Sequence, residues 1–252
     1  MAASLRLERL RQPKVPAGYV EHDVSDAIVE AAWTSRATSD AAHPVLPDGR
    51  ADLILRFRSN TVIPIISLPK PNLLRVAIRT GDTYVGLRLR PGYLAAFGAP
   101  LTGRAEGQAV LETLGELAHF DCAAQDGFEF VTEFSRWLAA KRSVEVPEEL
   151  LAALDAIDSS QGRVSVHDLE RRLQFNRRRI HRYFLRYVGL SPKAYTGVVR
   201  FQNALRQLHK GSPIADVAYT SGYSDQAHMT RAFRRLSGQT PARLTGLRRR
   251  QE

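Results

Sequence analysis

The chain reads as a multi-domain α and β protein: an N-terminal β-barrel or sandwich with attached helices, then an all-α double helix-turn-helix. Three observations predict this. Apolar and polar residues alternate along short runs between Asp52 and Arg90, the period of strands. From about Gly107 the apolar spacing becomes helical, and the C-terminal third contains one capped helix–turn–helix pattern twice. With 252 residues, each part is long enough to bury its own core. The expected division is 1–158 and 163–252, at the polar, flexible-looking Ser159-Ser160-Gln161-Gly162.

The strands come first. Leu53, Leu55 and Phe57 share one face of a run beginning at Asp52. Leu74, Val76 and Ile78 alternate with Arg75, Ala77 and Arg79, and Val85, Leu87 and Leu89 alternate with Gly86, Arg88 and Arg90. The β-branched run 61–68 contains Pro64, which suits an edge strand or a bend. Turn formers separate these runs: Pro47-Asp48-Gly49, Pro69-Lys70-Pro71-Asn72, Gly81-Asp82 and Pro91-Gly92. Three helical stripes follow, through Val110, Leu111, Leu114 and Leu117, through Phe128, Val131, Phe134, Ser135 and Leu138, and through Leu150, Leu151, Leu154 and Ile157, with Pro147 at a helix start.

In the C-terminal part, Ser165 caps a helix with Val166, Leu169 and Leu173 inward. After a turn at Gln174-Phe175, Asn176 caps a second helix, expected over 176–187, with Ile180, Tyr183, Phe184 and Tyr187 facing the core. The second copy starts with Ser212-Pro213 as cap and first-turn proline, carries Ile214, Val217 and Ala218 inward and turns at Gly222-Tyr223. Ser224 is expected to cap its second helix, about 225–236, with Met229, Phe233 and Leu236 inside. Between the copies, Ser191-Pro192 opens a connecting helix with Tyr195, Val199, Ala204, Leu205 and Leu208 inward, ending at Lys210-Gly211. Thr240-Pro241 opens a last short helix.

Charge is polarised along the chain. Residues 163–252 hold 19 Lys and Arg against 5 Asp and Glu, whereas the first 162 residues hold 17 against 21. One part only is built to meet a polyanion. In a helix-turn-helix the second helix enters the major groove and the first braces it, so the face opposite the apolar stripe meets base edges and phosphates. On the first unit that face is Arg177, Arg178, His181 and Arg182, flanked by Arg179 and Arg186. On the second it is Gln226, Ala227, His228, Thr230 and Arg231, with Arg234 and Arg235 further along. The guanidinium fork matches guanine's two acceptors or a phosphate, Gln226 suits an adenine edge, and Ala227 a thymine methyl. Two such helices on one connecting rod suit successive major grooves, roughly 34 Å apart along one side of the duplex. Arg248-Arg249-Arg250 adds diffuse attraction to phosphate.

The stretch Gly222-Tyr223-Ser224-Asp225-Gln226-Ala227-His228-Met229-Thr230-Arg231-Ala232-Phe233-Arg234-Arg235, followed by Gly238-Gln239-Thr240-Pro241, resembles the signature of the AraC/XylS transcriptional regulators. The segment Phe184-Leu185-Arg186-Tyr187-Val188-Gly189-Leu190-Ser191-Pro192 is similar to the pattern closing that family's first recognition helix, and the resemblance covers about 164–243. It implies base-reading positions at Arg178, His181, Arg182, Gln226, Ala227, His228, Thr230 and Arg231. Glu170 stands where the family usually has alanine and Gln174 where it has glycine in the turn; Gly197 lies inside the connecting helix, at about 1 kcal/mol relative to alanine. In the N-terminal half, Leu46-Pro47-Asp48-Gly49-Arg50-Ala51-Asp52-Leu53 and Gly86-Leu87-Arg88-Leu89-Arg90-Pro91-Gly92 resemble a poorly characterised cupin-like domain that precedes this module in some regulators. Asp52, Arg88 and Arg90 themselves read as surface or ion-pair residues, and the interior of a barrel as a place for a small molecule.

The expected function is therefore sequence-specific recognition of double-stranded DNA by a cytoplasmic transcriptional regulator without a cofactor. RNA polymerase, a small-molecule effector and a second copy of the chain are candidate partners; a membrane is not. An enzyme is not expected: His22, His43 and His119 are widely spaced, without the His-x-His of a barrel metal site, and the single Cys122 forms neither an internal disulfide nor a cysteine-rich zinc site.

Overall fold

The computed structural model describes residues 18–93 and 145–246 apart from 23, 25, 26, 60 and 175, together with Arg136. The helices expected through 110–138, His119, Cys122 and Arg248-Arg249-Arg250 lie outside the described residues. Among the described residues the strands come first: β1 Val20–His22, β2 Val29–Arg36, β3 Ala41–Val45, β4 Ala51–Arg58, β5 Thr61–Ser67, β6 Leu74–Ile78 and β7 Thr83–Leu89. Among the described residues the helices that follow are α1 Glu148–Ser159, α2 Val166–Leu173, α3 Arg177–Tyr183, α4 Pro192–His209, α5 Ile214–Thr220, α6 Gln226–Ser237 and α7 Pro241–Leu244. A π turn, Phe184–Val188, prolongs α3. No helix among the described residues is long and apolar enough to cross a membrane.

Five strands form one antiparallel sheet in the order β1-β2-β7-β4-β5, and β3 pairs with β6 in a second. The alternating runs take the central places: Leu53, Leu55, Val85, Leu87 and Leu89 are buried together with Ile28, Val29, Ala32 and Ala51 on one face. Pro64 lies opposite Leu55 on the edge strand β5, where a residue without an N–H breaks no ladder on the open side.

Strands β1, β2 and β3 are not marked by the period-2 pattern. β2 reads Val-Glu-Ala-Ala-Trp-Thr-Ser-Arg, and alanine is a poor strand former. Its place in the sheet comes from packing. Trp33 sits opposite Gly86, so close that a Cβ at 86 would overlap the indole, and the indole Nε1–H donates to Asp52 Oδ1 at 3.0 Å. The register of β2 against β7 shifts between Val29 and Ala31, leaving Glu30 as an extra residue. Such a bulge re-aims a side chain. Here Arg50 Nε donates to Glu30 Oε2 at 2.9 Å. Asp52 and Arg88, paired across β4 and β7, form an ion pair at 3.3 Å, whereas Arg90 is exposed.

The second core is built on α4, whose Tyr195, Val198, Phe201 and Ala204 are fully buried. It gathers Leu169, Ile180, Phe184, Val217, Met229, Phe233 and Leu236 from both helix pairs. It also takes in Leu150, Ala153, Leu154 and Ile157 of α1, with Leu46 from the N-terminal half and Leu73 packed against it. Thus α1, which the sequence groups with the N-terminal half, shares its apolar side with the C-terminal helices. The stretch expected to be flexible is packed: Ser160 Oγ donates to Ile157 O at 2.9 Å and accepts from Val164 N–H at 3.2 Å. Arg200 Nε on α4 donates to Gly162 O at 2.8 Å.

The turn before β4 docks on the same helix. Gln202 Nε2 donates to Pro47 O at 2.6 Å. Gly49, at φ 77°, lies under the Tyr195 ring, where a Cβ would approach to 2.8 Å. Arg50 faces Tyr195, Glu30 and Asp158; burial would lower its pKa, but those oxygens outweigh it and hold the guanidinium above its ordinary value. Tyr195 OH donates to Asp158 at 3.1 Å. Burial outweighs Arg50 in raising the Asp158 carboxyl above the usual carboxylate range.

Two outcomes follow from this packing. Gly86→Ala forces the indole of Trp33 out of place and lowers unfolding stability by about 1–3 kcal/mol in urea titrations. Arg50→Ala leaves the repelling Glu30 and Asp158 carboxylates without their cation, at a cost of about 3–5 kcal/mol. The raised Asp158 pKa gives the Arg50 cluster its own pH dependence. Stability from that group is fully present below its unfolded value, about 4, and is lost as pH rises through the folded value. Removing Arg50 raises the folded value further, so urea titrations over a pH series show the variant gaining more stability than wild type as pH falls from neutrality.

Candidate nucleic-acid interface

The two helix pairs, α2–α3 and α5–α6, are built from caps read locally. Ser165 Oγ accepts from Asp168 N–H at 3.1 Å, Asn176 Oδ1 accepts from Arg178 N–H at 2.9 Å, and Ser191 Oγ accepts from Ala194 N–H at 3.2 Å. Two expected caps differ. At α6 the cap is Asp225, not Ser224: its Oδ1 accepts from His228 N–H at 2.5 Å. A carboxylate at a helix N-terminus also meets the positive end of the dipole, and these N–H groups hold the Asp225 carboxyl below its ordinary range. At α5 the N-cap is Pro213 and no side chain caps it, so Ser212 stands one residue outside.

The first candidate recognition helix runs from Arg177 through the π turn, which ends where Gly189 N–H donates to Phe184 O at 3.0 Å. The wider turn lets Phe184, Tyr187 and Val188 all be buried. Phe184 packs on Tyr195 with ring centroids 5.8 Å apart, fixing α3 to α4. On the second unit Phe233 packs edge-on against Phe201 at 4.7 Å, fixing α6 to the same helix.

The outward faces are largely those expected. Arg178, His181 and Arg182 are exposed, and their side chains make no hydrogen bond or ion pair with a described residue. Arg177 is exposed but leans toward Glu170 at 3.6 Å, which gives the unusual glutamate of α2 a role in placing the first arginine of α3. Arg179 is tied down: it pairs with Glu149 of α1, and its Nε donates to Tyr183 OH at 3.1 Å. On α6, Gln226, Ala227, Arg231 and Arg235 are exposed and Thr230 is half-buried. His228 is half-buried, standing edge-on to Tyr223 at 5.3 Å. Its Nδ1 accepts from Ser224 N–H at 3.3 Å. The neutral ring is therefore a donor at Nε2, suited to an acceptor such as guanine or phosphate. Among the described residues, no three His, Cys, Asp or Glu side chains gather where they would hold a metal ion.

Contacts from the N-terminal half to α6 were not legible locally. Leu73 N–H donates to Leu236 O at 2.8 Å. The Asn72 amide, oriented with its nitrogen toward two carbonyls, donates to Arg235 O at 3.0 Å and Pro71 O at 2.9 Å. The only local signal was the turn Pro69-Lys70-Pro71-Asn72, which says nothing of a partner more than 160 positions away.

Two departures in the helical scaffold carry measurable cost. Gln174 closes α2 at φ 52°, a left-handed conformation that disfavours a side chain. At Gly197 a Cβ would meet nothing within 4 Å. Gln174→Gly and Gly197→Ala each raise stability by about 1 kcal/mol in chemical denaturation, the first by relieving strain and the second by restoring helix propensity.

Comparison with known proteins places this arrangement. Residues 169–246 match the family model described as a helix-turn-helix domain. The chain is 35% identical over 96 residues to the HTH-type transcriptional regulator YidL of Escherichia coli (strain K12), covering 38% of this chain and 32% of that protein. It is 33% identical over 66 residues to the HTH-type transcriptional regulator YbfI of Bacillus subtilis (strain 168), covering 26% of this chain and 24% of that one. The matches thus span a third or less of these curated relatives. Among solved structures, ToxT from Vibrio cholerae aligns at a TM-score of 0.45 with 12% identity, over 91% of this chain and 98% of that one. The C-terminal segment of this chain is a helix-turn-helix domain of the AraC/XylS type.

Proposed function

We propose that this protein is a sequence-specific DNA-binding transcriptional regulator, in which α3 with its π turn and α6 enter successive major grooves of one duplex. The observation that carries this is the division of labour on both helices. Each anchors an aromatic residue on α4, Phe184 on Tyr195 and Phe233 on Phe201, while presenting cations and amides outward. A shared anchor keeps the two outward faces at a fixed offset, which two grooves of one duplex require. Arg178, His181 and Arg182, with Gln226, Ala227, His228, Thr230 and Arg231, are the base readers; Arg177 and Arg235 serve the phosphates.

In this reading residues 163–252 bind DNA and residues 1–158 sense a small molecule or pair two copies of the chain. The loop contacts on α4 and α6 support it, since they give the N-terminal half a direct hold on the helices that would read DNA. RNA polymerase is the partner through which the bound, cytoplasmic protein acts on transcription.

Selection of bound duplexes from a random DNA library tests the reading. The expected result is enrichment of a site with two short motifs about one helical turn apart; recovery of random sequence with a steep salt dependence overturns it. On the selected site, Arg182→Ala and Arg231→Ala each weaken binding roughly 5- to 150-fold, about 1–3 kcal/mol, and relax preference at one motif only, as measured by titration at fixed salt.

A further inference from the structure

The first 162 residues hold 17 basic and 21 acidic groups, yet residues 69–81 contain Lys70, Arg75 and Arg79 and no Asp or Glu. This cationic segment of the N-terminal half is seated on the second candidate recognition helix. The seat is made by the Leu73 N–H on Leu236 O and the Asn72 amide on Arg235 O. Both acceptors belong to the last turn of α6, whose carbonyls have no partner within the helix. The loop thus caps α6 from another part of the chain. Lys70 lies two positions before Asn72 and Arg75 two positions after Leu73, on the arms leading to and from this seat. Lys70, Arg75, Arg234 and Arg235 are all exposed, and the side chains of Lys70 and Arg75 make no hydrogen bond or ion pair with a described residue.

The dimensions of duplex DNA give this placement a consequence. The 12 residues of α6 span about 18 Å at the usual helical rise, more than the roughly 12 Å width of the major groove. A helix that enters the groove end-first, with its first turn on base edges, therefore carries its last turn out to the sugar–phosphate wall. We propose that the β5–β6 loop and the start of β6 form a third element of the DNA interface, with Lys70 and Arg75 contacting phosphates beside the motif read by α6. This rests on the DNA-binding reading above and adds to it an N-terminal contribution to affinity that carries no sequence information.

The test uses the full chain and the duplex recovered by selection. Dissociation constants are measured between about 50 and 200 mM salt for wild type, Lys70→Gln, Arg75→Gln, the double variant and Arg79→Gln. Each lost phosphate contact reduces the magnitude of the log–log salt slope by about 0.9. The single variants are expected to lose about one unit each, and the double variant close to two, with base preference unchanged. Arg79, paired with Asp40 at 3.0 Å beyond the far end of β6, leaves the slope as in wild type when changed. A double variant that binds the selected site with the wild-type slope overturns the third contact while leaving the helix reading intact. A wild type with no preference for the selected site overturns both.

Discussion

Helix α4 has to be buried around most of its circumference, and this requirement organises the molecule. Ten of its 18 residues are buried, among them Tyr195, Phe201 and Leu205. A helix apolar on so many sides must be covered on all of them. The α2–α3 and α5–α6 pairs cover two, through Phe184 and Phe233, and α1 and the Pro47-Asp48-Gly49-Arg50 turn cover the region around Tyr195. Short helices of seven or eight residues, such as α2, α3 and α5, do not persist alone in water. Their geometry is inherited from the rod they pack on.

The arginines divide by what surrounds them. Arg50 meets Glu30 and Asp158, Arg58 forks onto Asp82 at 2.6 and 2.7 Å, and Arg88 lies between Asp52 and Asp48. These pairs neutralise the cations, with Arg50 and Arg88 largely buried and Arg58 still exposed. Near α4 the Arg50 cluster contributes registry more than net energy, because the desolvation of buried ions offsets most of their attraction. It accompanies the docked turn, with Pro47 O on Gln202 and Gly49 beneath Tyr195. On α3 and α6 the arrangement is reversed: Arg178 and Arg182 keep their guanidinium groups unsatisfied by the described protein and open to a polyanion.

Legibility in the sequence followed the range of the interaction. The caps at Ser165, Asn176 and Ser191, and the central strands β4 and β7, were readable because a period or a single neighbouring N–H decides them. Ser224 and Asp225 show the resolution of such reading: both are good caps, and the choice of Asp225 leaves Ser224 to hold the His228 ring. β2 was not readable, because its alanines are held by the fit of Trp33 over Gly86 and by the bulge at Glu30, both settled by a partner strand more than fifty positions later. Nor was the grouping of α1 with the C-terminal core, since an apolar stripe states that a helix has a partner without stating which.

The sequence by itself determined the class of both halves, the doubled helix-turn-helix, the polarised charge and the identity of the outward residues, because propensity, capping and amphipathic period act within a few positions. Tertiary structure alone decided which of those residues stay free. It tied Arg179 to Glu149, leaned Arg177 toward Glu170, turned the His228 ring into a donor and brought a cationic N-terminal loop onto the end of α6. The Glu170 and His228 contacts span a single turn of chain. The Glu149 pair and the loop on α6 depend on where two distant segments meet, which is set by closing a common core around α4, a condition no local stretch of chain contains.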